Sequence, residues 1–128
     1  MTGKLTILQI NDTHGYLEEH QEIFWEGRRA RHQVVGGFAR ISGYFKRIRR
    51  ERGVDSVIAL DNGDTLHGTF PAVSSEGEAL VRPLNHLGLD AWTIHWDIAY
   101  GPERLLELSG RLNYPLLALN GYHSDSHT

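Results

Sequence analysis

Leu5-Thr-Ile-Leu-Gln-Ile-Asn-Asp12-Thr-His14-Gly15 is the stretch of sequence that decides the fold. An apolar, partly β-branched run stops at an Asp-x-His pair and a glycine, a pattern typical of a buried β-strand that ends in a loop. Asp12 and His14 are two residues apart, so both side chains can turn towards one point beyond the strand. A carboxylate and an imidazole are suitable ligands for Zn²⁺, Mn²⁺ or Fe. The pair therefore indicates a candidate metal site, with a turn or a helix cap as the alternative.

Two later strand ends carry the same kinds of side chain. The apolar run at residues 56–60 predicts a strand buried on both faces, and residues 90–94 predict a third strand. A fourth strand is predicted at residues 116–119. Carboxylates and imidazoles follow two of these strands: Asp61, Asp64 and His67 after the second strand, and His95 and Asp97 after the third.

Segments with helical spacing separate these strands. Apolar residues at positions 38, 41, 44, 45 and 48 predict an amphipathic helix that ends near Gly53. Further helices are predicted over residues 76–87 and 102–108, the latter with a proline at its first position. This β-α-β alternation is typical of an α/β fold, in which right-handed crossovers build a parallel sheet and helices pack on its faces.

Ligands bind at the carboxyl ends of the strands in such sheets, so three polar strand ends at one edge predict a metal or catalytic site. Asp64 is the candidate bridge between two cations, because Gly63 lets the backbone turn sharply just before it. Asp61 has the right chemistry too, although a role in capping the turn fits it better. Two bridged cations can clamp the attacking and leaving oxygens of a phosphoryl group.

Residues 16–35 separate the first strand from the first helix. They show no clean periodicity and are longer than most connections, so we expect a functional loop or flap, with a mobile loop anchored by an aromatic residue as the alternative.

The composition excludes several classes of protein. The 128 residues fit one domain, and 40% hydrophobic with 23% charged residues is ordinary for a globular protein. A net charge of −3 gives no reason to expect nucleic acid as a partner. The absence of cysteine leaves only nitrogen and oxygen ligands for a metal. No apolar run is long enough to span a membrane and no signal peptide is recognisable, which predicts a cytoplasmic protein, or an extracytoplasmic one if a leader was removed.

Three blocks of the sequence resemble a known family. Asn11-Asp-Thr-His-Gly15, Gly36-Gly-Phe-Ala-Arg40 and Asp61-Asn-Gly-Asp-Thr-Leu-His-Gly68 are similar to the first blocks of the calcineurin-like metallophosphoesterases, within their 5′-nucleotidase and UDP-sugar hydrolase branch. The resemblance implies a phosphoester hydrolase of 5′-nucleotidase type, active in nucleotide catabolism, with two divalent ions (Mn, Zn or Fe). It also implies that Asp12 and His14 bind the first ion, that Asp64 bridges both, and that the substrate is a phosphorylated small molecule such as a nucleotide.

The third block departs from the family pattern. Where the family has Gly-Asn-His-Glu, this chain has Ile94-His-Trp-Asp97. His95 stands at the position of the metal-binding asparagine and is our candidate both for a metal ligand and for a catalytic residue. Trp96 stands at the position of the histidine and cannot act as a general acid. A similar His-Trp-acid block is found in family members related to the sulfur-oxidising thiohydrolases, so a sulfur ester is an alternative substrate.

The later histidine blocks of the family have no counterpart in this sequence. We therefore expect a single, apparently truncated domain at residues 1–128 that forms half of the metallophosphoesterase-type αββα sandwich. A homodimer or a missing C-terminal segment would complete it. The remaining alternative is a catalytically inactive binding or interaction module that keeps the fold.

Overall fold

The computed structural model describes residues 3–121. A single strand and a hairpin come first, and helices and strands alternate after them. The strands in this part of the chain are β1 (Thr6–Ile10), β2 (Glu19–Glu26), β3 (Arg29–Gly36), β4 (Val57–Asp61) and β5 (Ala91–Trp92). Its α-helices are α1 (Phe38–Arg52), α2 (Phe70–Ser74), α3 (Glu78–Leu87) and α4 (Pro102–Ser109), and 3-10 turns lie at Val54–Ser56 and Trp96–Tyr100.

The central sheet has three parallel strands in the order β1-β4-β5. Ile10 pairs with Asp61, and Asp61 in turn pairs with Trp92, so the three strands end close together at one edge. The predicted α/β architecture with a parallel sheet is therefore confirmed. The predicted ligand groups all follow strands that end at this edge.

Helices cover one face of the sheet. Ala59 of β4 and Trp92 of β5 are buried there in one cluster with leucines from the helices, including Leu80, Leu84 and Leu108. The prediction that residues 56–60 are buried on both faces was wrong. Val57 and Ala59 are buried on one face, whereas Ile58 between them points to the other face and is 37% exposed.

The prediction of an irregular loop at residues 16–35 was wrong, whereas a function of this segment as a flap stays a prediction. This segment is an antiparallel hairpin of β2 and β3 joined by Gly27-Arg28, a connection of two residues in which Gly27 has a φ of 64°. Exposed residues lie on both faces of the hairpin: Phe24 and its cross-strand partner Arg31 are exposed on one face, and Trp25 is exposed on the other. Polar and apolar residues therefore do not alternate strictly, and the usual sequence pattern of a strand is missing.

Two smaller differences concern the second half of the chain. The predicted fourth strand is reduced to an isolated bridge in which Leu116 pairs with Trp92. The short helix α2 was not predicted, and it lies between the loop that follows β4 and α3. None of the helices between residues 3 and 121 is long and apolar enough to cross a membrane.

Candidate metal centre

Backbone hydrogen bonds continue beyond the ends of β1 and β4 and hold the two loops together. The N–H of Asp12 donates to the carbonyl of Gly63 (2.9 Å), and the N–H of His14 donates to the carbonyl of Asp64 (2.8 Å). The N–H of Thr69 donates back to the carbonyl of His14 (3.1 Å). The positions of the candidate ligands are therefore fixed by the backbone of the loops.

The structure brings three of the four predicted metal ligands into one cluster. Asp12, His14 and Asp64 each offer a ligand atom, and these atoms all lie within 4.8 Å of one another. Nε2 of His14 lies 3.8 Å from Oδ1 of Asp12 and 3.9 Å from Oδ2 of Asp64. The three residues lie on two different loops, so their arrangement depends on the parallel pairing of β1 with β4.

The same three residues have an unusual backbone conformation. Among the non-glycine residues between 3 and 121, a positive φ occurs at Asp12 (53°), His14 (46°), Asp64 (57°) and Glu76 (48°). A left-handed conformation costs an L-residue roughly 1–2 kcal/mol. Backbone strain of this kind persists only where the surrounding structure holds it in place, and it is concentrated at functional sites. The loops therefore hold these side chains in an arrangement that the backbone alone would not favour.

Asp64 is at the centre of the cluster and is buried. Burial raises its pKa, but hydrogen bonds from His95, from His67 and from the N–H of Trp96 outweigh that effect, so that the pKa lies well below its usual range. The carboxylate is therefore charged at neutral pH and can bind a cation without first losing a proton.

His95 contacts Asp64 but lies outside the three-residue cluster. Its Nδ1 is 2.7 Å from Oδ2 of Asp64, and the hydrogen bond to this carboxylate raises the pKa of the imidazole. The side chain is 63% exposed and lines an open cavity of about 370 Å³ together with Asp12, Asn62 and Asp64. Trp96 follows it and is exposed at the surface. His95 can therefore reach both the cluster and a molecule in the cavity.

His67 is one of the polar residues that follow the second predicted strand. In the structure, Nε2 of His67 lies 2.9 Å from Oδ1 of Asp64, and its side chain is only 17% exposed. Its ring meets the ring of His14 edge-on at a centroid distance of 4.9 Å. His67 is therefore part of the site.

Asp97 is a buried residue that supports the site through hydrogen bonds to the backbone. It was not identified as a site residue from the sequence. It is 1% exposed and accepts backbone hydrogen bonds from Asp64, Thr65, Leu66 and His95 at 2.8–3.1 Å. These donors belong to the loops that follow β4 and β5. The carboxylate of Asp97 therefore joins the two loops by hydrogen bonds next to Asp64. In the sequence, the polar residues after the third strand indicate this role only in part.

Asp61 caps the turn after β4, as the sequence indicated. Its carboxylate accepts hydrogen bonds from the N–H of Gly63 (3.0 Å) and from the hydroxyl of Thr65 (2.8 Å). Burial raises its pKa to about 6 in spite of these two hydrogen bonds, and the charge of Asp97 acts in the same direction. Asp61 is therefore a supporting residue that does not face the cluster.

The residues at this site fit a divalent metal ion. The cluster offers two carboxylates and one imidazole, and a second imidazole lies against the central carboxylate. Oxygen and nitrogen ligands of this kind suit Zn²⁺, Mn²⁺ and Fe. The charged state of the buried Asp64 adds the negative potential that attracts a cation.

Sequence comparison identifies relatives of this chain. It is 35% identical over 119 residues to a probable 5′-nucleotidase from Treponema pallidum, a match that covers 91% of this chain and 20% of the relative. The chain thus spans about a fifth of the length of that protein. No model of a protein family matches the chain.

Structure comparison gives the same result. The NAD nucleotidase from Haemophilus influenzae superposes with a TM-score of 0.80 at 28% identity, over 91% of this chain and 20% of the nucleotidase. A calcineurin-like phosphoesterase from Bacillus subtilis shares the fold with a TM-score of 0.65 at 18% identity, over 88% of this chain and 36% of that protein. By sequence, this chain is similar to the 5′-nucleotidases, and it shares the fold of a calcineurin-like phosphoesterase.

Proposed function

We propose that this chain carries the metal centre of a 5′-nucleotidase-type phosphoester hydrolase, in which Asp12, His14, Asp64 and His95 hold two divalent ions. The observation that carries the proposal is the convergence of Asp12, His14 and Asp64, all with left-handed backbones, at the carboxyl ends of two paired parallel strands. Supporting it, the relatives that match over most of this chain are named 5′-nucleotidases.

The residues of the chain divide the work. Asp64 would supply the buried central carboxylate, and Asp12 and His14 would hold an ion from the loop after β1. His95 would bind from the loop after β5, and its side chain lines the open cavity, where it can also orient a phosphoryl oxygen. When bound, divalent ions would neutralise the charge of the phosphoryl group and lower the pKa of the attacking water. The substrate class is a phosphorylated small molecule such as a nucleotide.

One observation favours a second candidate substrate. Trp96, an exposed indole, follows His95 at the site, and its N–H can donate a hydrogen bond but cannot transfer a proton. A substrate whose leaving group needs no protonation suits this arrangement better than a nucleoside does. A sulfur ester is such a substrate, because its leaving group departs as a thiolate or a related stable anion.

The test combines metal analysis with hydrolysis. The full chain, incubated with Mn²⁺ or Zn²⁺ and dialysed, should retain about two ions and hydrolyse nucleoside monophosphates or a sulfur ester. Asp64→Asn should lose metal-dependent turnover by at least about 100-fold, because the central ligand loses its charge. Asp55→Asn, at an exposed position in a 3-10 turn, is the matched control and should not change the rate.

Two results would contradict the proposal. An unchanged rate in Asp64→Asn would show that hydrolysis does not use this centre. A chain that retains metal but turns over neither class of substrate would favour the inactive binding module instead.

A further inference from the structure

We propose that His67 is an additional ligand of the metal centre. The loop that follows β4 would then contribute an imidazole beyond the four predicted ligands. The inference rests on the proposed function, because it assumes that the cluster around Asp64 binds divalent ions. Its starting point is that the two oxygens of Asp64 each face a different histidine: Oδ1 faces His67 at 2.9 Å, and Oδ2 faces His95 at 2.7 Å.

These distances match the edges of a coordination shell. Metal–nitrogen and metal–oxygen bonds of about 2.1 Å at angles near 90–110° place neighbouring ligand atoms about 3 Å apart. Nε2 of His67 lies 2.9 Å from Oδ1 of Asp64, so an ion bound to this oxygen needs only a small shift of the imidazole to bind it too. The edge-on contact with the ring of His14 places a second candidate ligand beside it.

The loop that carries His67 is held firmly in this position. The backbone N–H of Thr69 donates to the carbonyl of His14, and its hydroxyl donates to the carbonyl of Gly15 (2.8 Å). Gly68 packs so closely on His14 that an added Cβ would lie 2.5 Å from the carbonyl oxygen of His14. His67 is therefore placed by the same contacts that place the ligands after β1.

The alternative role for His67 is to orient Asp64 through a hydrogen bond without binding the metal. In that role Nε2 keeps its proton and donates it to the carboxylate. As a ligand, Nε2 must be unprotonated, and the remaining proton of the neutral imidazole must sit on Nδ1. The two roles therefore differ in the state of one nitrogen atom, which can be observed directly.

The test is nitrogen NMR of the histidine rings in the full, ¹⁵N-labelled chain, first with EDTA and then with Zn²⁺. The His67 ring is assigned through its backbone, and His67→Gln checks the assignment where that variant folds. We expect the Nε2 resonance of His67 to move from that of an N–H group to that of a metal-bound imidazole. His86 lies in α3, where its ring is paired with the carbonyl of Arg82, and should not change.

The outcomes separate this inference from the proposed function. If His14 and His95 take up zinc while Nε2 of His67 remains an N–H donor, His67 only orients Asp64 and this inference is overturned. If none of these three rings changes, the proposed metal centre fails as well. Affinity alone would not decide, because losing a hydrogen-bond partner of a ligand also weakens metal binding, by 10–100-fold.

Discussion

Asp61, the last residue of β4, and Asp64, in the loop that follows, are two carboxylates whose environments move their pKa values in opposite directions. Asp64 has imidazole and N–H donors and is held below its usual range. Asp61 is more completely desolvated, and its pKa is raised to about 6. Opposite shifts in neighbouring groups are common at functional sites. Here the two shifts agree with different roles: Asp64 stays charged and can bind a cation, and Asp61 caps the turn after β4.

The raised pKa of Asp61 predicts how stability depends on pH. Because the folded state holds this proton more tightly than the unfolded chain, whose pKa is near 3.8, stability should fall as pH rises through about 4 to 7 and then level off. A shift of this size corresponds to about 3 kcal/mol. Asp61→Asn should remove this dependence, since the amide carries no charge to desolvate. Urea unfolding at several pH values in EDTA, with wild type and variant compared, measures it.

The comparison with the variant isolates Asp61 from the other groups. Asp64 contributes in the opposite sense, because its lowered pKa adds stability that is lost only as the pH falls below its usual range. A difference between wild type and Asp61→Asn that stays constant from about pH 4 to 7 would contradict the prediction.

Asp12, His14 and Asp64 could be identified from the sequence because each lies within four residues of the end of an apolar run. Asp97 could not be assigned its role, because it acts on backbone N–H groups 31 to 33 positions away, and no local pattern reports such contacts. The contact of His67 with Asp64 could not be predicted for the same reason, because it depends on how the loop folds after Gly63.

At the level of elements, the loop after β4 is shaped by close packing at its glycines. Gly68 has a φ of 111° and contacts the backbone of His14, so both its conformation and its neighbours exclude a side chain. We expect Gly68→Ala to lower the free energy of unfolding by more than about 2 kcal/mol and to weaken metal binding, because the loop must move away from His14.

Gly43 provides the matched control for this prediction. It lies within α1, and an added Cβ would have no neighbour within 4 Å. Gly43→Ala should therefore stabilise the protein by roughly 0.5–1 kcal/mol, since alanine favours the helix. Thermal unfolding and zinc titration of both variants give the measurement. Equal stability of the two variants would show that the contact between Gly68 and His14 does not constrain the loop.

Helices and strands were predictable where one of their faces is buried, because burial imposes a regular spacing on the apolar residues. Helix α1 follows its apolar spacing and ends beside Gly53, as expected. The hairpin was missed, because burial does not impose a pattern on either of its faces. Its turn at Gly27-Arg28 was the remaining signal, and Gly27 supplies the positive φ that a two-residue connection needs.

At the scale of the whole molecule, residues 3–121 form a central sheet with one face covered by helices and one open face. Leu5, Ile7 and Ile58 are 58%, 62% and 37% exposed on the open face, where Ile7 and Ile58 are neighbours on adjacent strands. This arrangement agrees with the expectation of half a sandwich. Apolar faces of this kind are uncommon on proteins that stay monomeric.

We therefore expect the full chain to self-associate through this face. Light scattering at micromolar concentrations should give an average mass above the 14.5 kDa of one chain. Replacing Ile7 and Ile58 together by threonine should return the mass towards that of the monomer, because threonine keeps the strand conformation and removes apolar area. Leu106→Thr, at an exposed position in α4, is the control and should leave association unchanged. A wild-type chain that stays at 14.5 kDa over the whole concentration range would show that the open face does not drive association in solution.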